Sequence, residues 1–247
     1  MAKMKKNLLQ KTLYEIHQEK QSAGYKIVEG EDIFVLLWNS PKLAYLDKAH
    51  CETITEKNYK FLKANFSSCS LNIATNQESA LKDVPYLIFK GISDIMLLKR
   101  DTLIEENSRF EIRLVQTKDD IRTFSEIAAE VFNMKQDVEN IQKSLEADMG
   151  LKHCHKYIGY DGETAAGIVE FSEGKEAVYI CWAAVKKEFR RKGLCHDMFV
   201  YGINREIEKN FKKFVLLPSA EGKRVYSQLG FRDYAIRYNY TLKNEDK

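Results

Sequence analysis

Three consecutive cations directly precede a glycine in the second half of the chain. Arg190, Arg191 and Lys192 stand before Gly193, and a helical pattern begins immediately after it. The first turn of a helix carries main-chain N–H groups without intrahelical partners and a partial positive charge, so it can bind an anion. Glycine lets a phosphate approach the backbone closely, and arginine can bind one through two hydrogen bonds. The segment therefore predicts a phosphate site, with a solvated basic turn as the alternative.

The placement of these cations favours a diphosphate over a nucleic acid. They converge on one turn, whereas a protein that reads nucleic acid would spread its cations along a face. The net charge of the 247 residues is only +3, and the charges are well mixed along the chain. Bulk electrostatics therefore do not indicate a nucleic-acid partner.

The cysteines and the apolar runs bear on the cellular compartment. The five cysteines are odd in number and form no C-x-x-C pair, which favours free thiols in a reducing compartment. The basic residues 1–10 precede a stretch too polar for a signal peptide. No apolar run approaches the roughly 18 residues needed to cross a bilayer. We expect a cytoplasmic protein with no membrane partner.

A histidine-rich stretch raises the question of a metal site. His153, Cys154 and His155 are adjacent in a segment that reads as a strand. Side chains alternate between the two faces of a strand, so Cys154 points away from the two histidines. The three therefore cannot readily bind one ion, and we predict no metal site.

The elements that must position the cationic loop follow from the hydrophobic periodicity. Helices are predicted at about 8–22, after Thr55, at about 117–131 and 138–149, after Gly193, and around Tyr226. Strands are predicted at 32–39, 71–74, 95–98, 111–115, 214–217 and 235–242, with three more between 156 and 185. Thr117 or Asp119 is expected to cap its helix.

Two observations favour two domains. Residues 102–110 lose the apolar pattern and gain charge, which indicates a linker. Residues 91–103 and 230–242 align without gaps and match at four positions, which favours duplication, although chance can produce such a match. We predict an α/β (α+β) protein with domains at residues 1–107 and 108–247.

The cationic loop also carries a family resemblance. RRKGLC, residues 190–195, resembles the Q/R-x-x-G-x-G/A signature of the GNAT superfamily of acyl-CoA N-acyltransferases. LPSAEGKRVYSQLGF, residues 217–231, is similar to a later motif of that family, in which a tyrosine lies four residues before the glycine of L-G-F. The resemblance covers about residues 110–242. Residues 1–107 look like the degenerate first copy of a tandem GNAT protein, because no basic run followed by glycine occurs in residues 44–55.

The resemblance implies the fold and the cofactor. It implies two tandem GNAT-like domains, each a mixed, mostly antiparallel sheet flanked by helices, with acetyl-CoA (coenzyme A) bound only in the second. The pantetheine arm would pair with one strand, and the pyrophosphate would bind the amides of residues 191–196. The residues implied to bind the cofactor are Ala183, Ala184, Val185, Arg190, Arg191, Lys192, Gly193, Leu194, Cys195, His196 and Ser219.

The resemblance also implies catalytic roles. Tyr226 would protonate the departing thiolate, with a packing aromatic as the alternative. Tyr179 stands where some members carry a glutamate, so Glu170 is the candidate base, with a solvated carboxylate, a substrate amine or an ordered water as alternatives. Cys195 replaces a small residue of the signature, and we expect a buried thiol that is not a nucleophile.

The expected function is therefore an N-acetyltransferase of the GNAT type that moves an acetyl group from acetyl-CoA to a primary amine of a small molecule or peptide. The protein would be a monomer or a homodimer. The rival hypothesis is a non-catalytic acyl-CoA-binding regulatory protein, suggested by the missing carboxylate at Tyr179.

Overall fold

The computed structural model describes residues 7–66, 72–75 and 87–242. The chain divides into two compact units, Met1–Ile95 with Tyr234–Lys247, and Met96–Asp233. The predicted boundary between residues 107 and 108 stays a prediction. Both units combine helices with a mixed, mostly antiparallel sheet, so the predicted α/β (α+β) class is confirmed.

The elements follow one another in chain order. The helices are α1 (Leu8–Glu19), α2 (Glu56–Phe66), α3 (Lys118–Val131), α4 (Val138–Ala147), α5 (Leu194–Glu208) and α6 (Gly222–Gln228). The strands are β1 (Lys26–Glu29), β2 (Ile33–Leu37), β3 (Lys48–Cys51), β4 (Asn72–Thr75), β5 (Leu87–Lys99), β6 (Glu111–Leu114), β7 (Cys154–Asp161), β8 (Thr164–Glu173), β9 (Val178–Val185), β10 (Lys213–Leu216) and β11 (Arg232–Leu242). Within the described residues, no helix combines the length and the apolar character that a membrane span requires.

The amino-terminal unit has the strand order β1-β2-β3-β4-β11-β5. Strands β3 and β4 are parallel, and α2 connects them. Asn7 directly precedes α1 and forms a capping box with Gln10, and the left-handed Gly24 ends the turn that follows the helix. The sequence did not reveal β1 and β3, because each has only four residues and neither shows a clear alternation of polar and apolar residues.

The second unit has the strand order β5-β10-β9-β8-β7-β6, to which β5 contributes its end from Met96 onward. Strands β9 and β10 are parallel, and α5 connects them. The three predicted strands between residues 156 and 185 are confirmed as β7, β8 and β9. Thr117 caps α3 as expected, through a capping box with Asp120.

The core of the second unit lies between α5 and the sheet. Phe171 of β8 packs against Phe199 of α5, with 6.2 Å between the ring centroids. A Cβ atom at position 202 would lie 2.1 Å from the Phe171 ring, so Gly202 allows α5 to approach β8 closely. This packing fixes the direction of α5, and with it the position of the loop that precedes the helix.

The predicted linker is attached to this core by one buried side chain. No helix or strand occurs between residues 100 and 110. Asn204 of α5 accepts a hydrogen bond from the Ile104 N–H at 2.8 Å and donates to the Ile104 carbonyl at 2.7 Å and to Glu106 at 2.8 Å. The linker therefore has a fixed path beside α5 although it lacks regular structure.

This arrangement predicts that Asn204→Ala lowers the free energy of unfolding by about 1–2 kcal/mol, because it removes the hydrogen bonds to the half-buried backbone groups of Ile104. Urea denaturation followed by circular dichroism measures the loss. Arg122→Ala is the control, because it removes only an exposed ion pair with Asp119 and should change the stability by less than about 0.5 kcal/mol. Equal midpoints for the two variants would contradict the role of Asn204.

Candidate functional site

Strand β9 extends beyond its parallel neighbour. The ladder between β10 and β9 pairs Phe214 with Val178 and ends with Leu216 opposite Ile180. Strand β9 continues to Val185, so its last five residues lie past the end of the ladder. The edge of β9 that contains Ala183, Ala184 and Val185 is therefore not covered by β10.

A β-bulge interrupts β9 at the start of this edge. Ile168 lies opposite Ala184 and Glu170 opposite Cys181, so Trp182 and Ala183 together face the single residue Val169. Trp182 has a φ of +51°, in the left-handed region that few non-glycine residues adopt. The bulge turns the backbone of β9 where the two strands separate, and nothing in the alternation of side chains predicted it.

The cationic loop runs from β9 to α5. Arg190 donates from Nε to the carbonyl of Val185 at 3.1 Å, which ties the loop to the end of β9. Lys192 forms an ion pair with Asp161 at 3.0 Å and lies over the ring of Phe189. Arg191 is exposed, has a φ of +62°, and its guanidinium makes no ion pair or hydrogen bond within the described residues. Of the three cations, Arg191 is thus the one available to an anion.

The first turn of α5 has no side-chain cap. Gly193 occupies the cap position with a φ of +98°, and a Cβ atom there would come no closer than 3.9 Å to Phe110. The first backbone hydrogen bond of the helix runs from the Asp197 N–H to the Gly193 carbonyl. In the part of the chain that the structure describes, none of the six N–H groups from Arg191 to His196 has an acceptor. This arrangement can bind several anionic oxygens at once.

Tyr226 lies close to the same helix end. It projects from α6 into the core and is 6% exposed, with its ring centroid 4.8 Å from that of Phe199 on α5. Its hydroxyl forms no hydrogen bond within the described residues. Burial, together with the Cys195 thiol, raises the pKa of Tyr226, so the hydroxyl is protonated at neutral pH. The structure therefore brings Tyr226, Cys195 and the loop together.

Ser219 has a structural role at the start of α6. Its hydroxyl accepts a hydrogen bond from the Gly222 N–H at 3.0 Å. A Cβ atom at position 222 would lie 3.0 Å from the Tyr226 hydroxyl oxygen, so glycine at this position makes room for the tyrosine. The contact of Ser219 with the cofactor stays a prediction.

Glu170 lies on the opposite face of the sheet from Tyr226. Its neighbours Val169 and Phe171 pack towards α5, whereas Glu170 alternates to the other face. The side chain is 1% exposed, lies 3.6 Å from Lys156 Nζ, and accepts a hydrogen bond from Ser172 at 2.6 Å. Its role as a base stays a prediction, and the burial means that an external amine cannot reach the carboxylate directly.

An aromatic pair flanks the bulge on β9. Phe132 follows α3, is 42% exposed, and contacts Trp182 edge-to-face with 5.5 Å between centroids. The sequence did not single out Phe132, because this residue continues the apolar pattern of α3 and looks like an ordinary packing residue at the end of the helix. Because its exposed ring lies next to the irregular part of β9, Phe132 is a candidate contact for the amine that would receive the acetyl group.

The environment of Cys195 predicts low thiol reactivity. Burial raises the pKa of Cys195 to about 12, so about one thiol in 10,000 is ionised at pH 8, against roughly a quarter for an ordinary cysteine. Alkylation by iodoacetamide at pH 8, followed by mass spectrometry of the Cys195 peptide, should be at least about 100-fold slower in the folded protein than in guanidinium chloride. Equal rates in both conditions would show that the thiol is not enclosed.

Comparisons with known proteins agree with this geometry. Residues 120–238 match the family model described as an acetyltransferase (GNAT) domain. A search of curated protein sequences gives no significant match.

Solved structures share the fold at low sequence identity. A conserved protein of unknown function from Staphylococcus epidermidis superposes with a TM-score of 0.69 at 13% identity, covering 90% of this chain and 95% of that one. A GCN5-related N-acetyltransferase from Kribbella flavida gives 0.66 at 13% identity, with 92% and 95% covered. A tandem GNAT protein from the clavulanic acid biosynthesis pathway gives 0.59 at 10% identity, with 91% and 85% covered.

The family model and the fold likeness agree with the resemblance that residues 190–195 and 217–231 carry. Residues 120–238, just under half of the chain, thus match the acetyltransferase domain of the GNAT superfamily in sequence as well as in fold.

Proposed function

We propose that the carboxy-terminal domain transfers an acetyl group from acetyl-CoA to a primary amine by direct attack. The observation that carries the proposal is the run of six N–H groups, Arg191 to His196, at the start of α5, for which residues 7–66, 72–75 and 87–242 supply neither an acceptor nor a side-chain cap. These donors and the unpaired Arg191 guanidinium match the charge and the oxygen atoms of a pyrophosphate.

The uncovered edge of β9 supports the same ligand. A flexible arm with amide groups can add to an exposed strand edge through main-chain hydrogen bonds. The edge that contains Ala183, Ala184 and Val185 leads directly into the cationic loop, and Arg190 connects the two. We expect the pantetheine arm to lie along this edge.

The residues near the uncovered edge of β9 would then act one after another. Acetyl-CoA supplies an activated acetyl thioester. The N–H of Ala183 would stabilise the negative charge that develops on the thioester oxygen. Tyr226 would donate its proton to the departing sulfur, and the positive end of α5 would favour the tyrosinate that remains.

The incoming amine must be neutral to attack, so a base should remove its proton. Glu170 is buried against Lys156 and would need a water molecule to reach the amine. An amine that enters already neutral needs no base before the attack, and the proton that its nitrogen loses afterwards would return to the Tyr226 oxygen. This fits Tyr179 at the strand position where some family members carry a glutamate.

The amino-terminal unit supports the proposal of a degenerate first copy. Strands β1, β2 and β3, helix α2 and strand β4 follow the order of β7, β8, β9, α5 and β10, and each set ends in a parallel pair. In the first set the ladder reaches the end of β3, with Cys51 opposite Thr75, so it leaves no uncovered edge. Helix α2 is capped by Thr55 and Asn58, which bond to each other's N–H groups, and Glu56 adds a negative charge. We propose that this copy binds no coenzyme A.

The rival is a regulatory protein that binds acyl-CoA without turnover, and the burial of Glu170 favours it. The two are separated by measuring thiol release from acetyl-CoA with a panel of primary amines that includes polyamines, amino acids and peptides. Release with at least one amine supports the enzyme. Coenzyme A binding in calorimetry without release for any amine supports the rival.

The phosphate assignment predicts that Gly193→Asp abolishes coenzyme A binding. The substitution places a carboxylate where the diphosphate should lie, and the left-handed backbone costs about 1–2 kcal/mol of stability, which leaves the fold intact. Isothermal titration calorimetry measures the affinity. Gly150→Asp is the matched control, because Gly150 has a φ of +83° with open space around it but lies outside the loop. An unchanged affinity in Gly193→Asp would reject the assignment.

The acid assignment predicts that Tyr226→Phe lowers turnover by about 10- to 1,000-fold while coenzyme A affinity is nearly kept. The thiol-release assay with the best amine measures the effect. Tyr201→Phe removes a hydroxyl from α5 in the same unit and should retain turnover. Equal turnover in wild type and Tyr226→Phe would remove Tyr226 from the mechanism.

A further inference from the structure

A cluster of metal-ligating side chains lies at the far end of α5. His155 Nε2 is 2.9 Å from Glu173 Oε1, and His153 Nδ1 is 3.1 Å from Glu173 Oε2. Lys209 Nζ donates to Glu173 Oε1 at 2.8 Å and to Glu206 Oε1 at 3.0 Å. One ligand atom each from His155, Glu173 and Glu206 lie within 4.8 Å of one another. The cluster joins the start of β7, the end of β8 and the last turn of α5.

The hydrogen bonds within this cluster do not satisfy Glu206. Its side chain is fully buried, and its second oxygen, Oε2, has no hydrogen-bond donor within the described residues. Two carboxylates share the single ammonium group of Lys209, so the buried group needs a further positive charge, either a proton or a metal ion. A buried oxygen without a donor, in a side chain whose ligand atoms lie within 4.8 Å of those of His155 and Glu173, points to a further cation at this cluster.

The cluster is separate from the proposed cofactor site. Gly193 and Glu206 lie at opposite ends of α5, about 20 Å apart at 1.5 Å per residue. The two sites are therefore connected only through the helix and the strands beneath it. Nothing in the acyl-transfer chemistry uses His153, His155, Glu173 or Glu206.

We propose that His155, Glu173 and Glu206 bind a divalent transition-metal ion, with Zn²⁺ as the best match and His153 or water as the fourth ligand. Imidazole and carboxylate ligands together suit Zn²⁺, whereas Ca²⁺ and Mg²⁺ prefer oxygen alone. With bonds of 2.0–2.2 Å in a tetrahedron, ligand atoms lie about 3.3 Å apart. The longest separation in the cluster, up to 4.8 Å, must therefore shorten by up to about 1.5 Å, and the 2.9 Å between His155 Nε2 and Glu173 Oε1 must lengthen slightly. Side-chain rotation can supply both changes.

Lys209 supplies the positive charge that the proposed metal ion would otherwise supply to the two carboxylates. Its ammonium bridges the two carboxylates, and its side chain is 39% exposed, so it can turn into solvent when an ion binds. A divalent ion then balances both carboxylates without help from the lysine. Metal binding thus exchanges an internal ion pair for coordination bonds.

Side chains alternate along β7 as the sequence predicted, but the sequence did not show that two glutamates lie beside the histidines. Cys154 points away from the histidines and contacts Ser172, as alternation requires. The two glutamates lie 18 and 51 residues beyond His155 in the chain and come from β8 and α5. The pairing of β7 with β8 brings Glu173 beside the histidines, and the packing of α5 on the sheet adds Glu206.

Titration of metal-free protein with Zn²⁺ alone, in competition with a chromophoric chelator, tests the proposal. We expect one ion per chain at micromolar concentration or below. His155→Ala and Glu206→Gln should each weaken binding at least about 10-fold, since even outer-shell partners of metal ligands contribute that much. Lys209→Met removes the competing ammonium and should tighten binding. Cys154→Ser is the matched control on the other face of β7 and should bind as wild type does.

X-ray absorption on the wild-type protein gives a second reading that does not depend on the folding of any variant. Nitrogen and oxygen scatterers near 2.0–2.1 Å, with no sulfur, support the proposed ligands. Absence of binding by the wild type would overturn the proposal. A sulfur ligand, or equal binding in wild type, His155→Ala and Glu206→Gln, would overturn it as well.

Discussion

The start of α5 is the constraint on which the site depends. A helix can satisfy its first N–H groups with its own side chains, and α2 does so through Thr55 and Asn58. Helix α5 does not, because the cap position holds Gly193 in a left-handed conformation that brings no side-chain acceptor. Among the described residues, the N–H groups from Arg191 to His196 therefore have no acceptor, which leaves them accessible to water or to an anion. The fold tolerates this because the loop is exposed and water can solvate these groups while no ligand is bound.

The two units show how one topology can be open or closed to such a ligand. Each has a parallel strand pair connected by a helix, β3 with β4 and β9 with β10. In the first unit the ladder runs to the end of β3, and the helix is capped and has an acidic first turn. In the second unit β9 continues past Ile180, the bulge at Trp182 turns its backbone, and the helix starts uncapped after a basic loop. In the second unit the uncovered strand edge and the uncapped helix start occur together, and in the first unit the described residues show neither. Both are needed for a ligand that carries an amide arm and a diphosphate.

The sequence predicted what depends on local patterns. Gly193 before an amphipathic run located α5, and Thr117 located the start of α3. The strands from 156 to 185 followed from alternation and turn residues. Features set by tertiary contacts were missed: the bulge at Trp182, the attachment of Ile104 to Asn204, and the burial of Glu170 against Lys156. The two long strands β5 and β11 overlap the aligned segments 91–103 and 230–242. The sequence did not indicate that β11 belongs to the amino-terminal unit from Tyr234 onward.

The central claim is that main-chain donors at the start of α5 bind the diphosphate of coenzyme A. Titration of ¹⁵N-labelled protein with coenzyme A, followed by amide shifts and amide hydrogen exchange, tests it directly. The account predicts that the N–H groups of residues 191–196 shift most and exchange more slowly in the complex. The N–H groups of residues 56–58, at the capped start of α2, should not respond. Saturation with coenzyme A that leaves residues 191–196 unchanged would contradict the account.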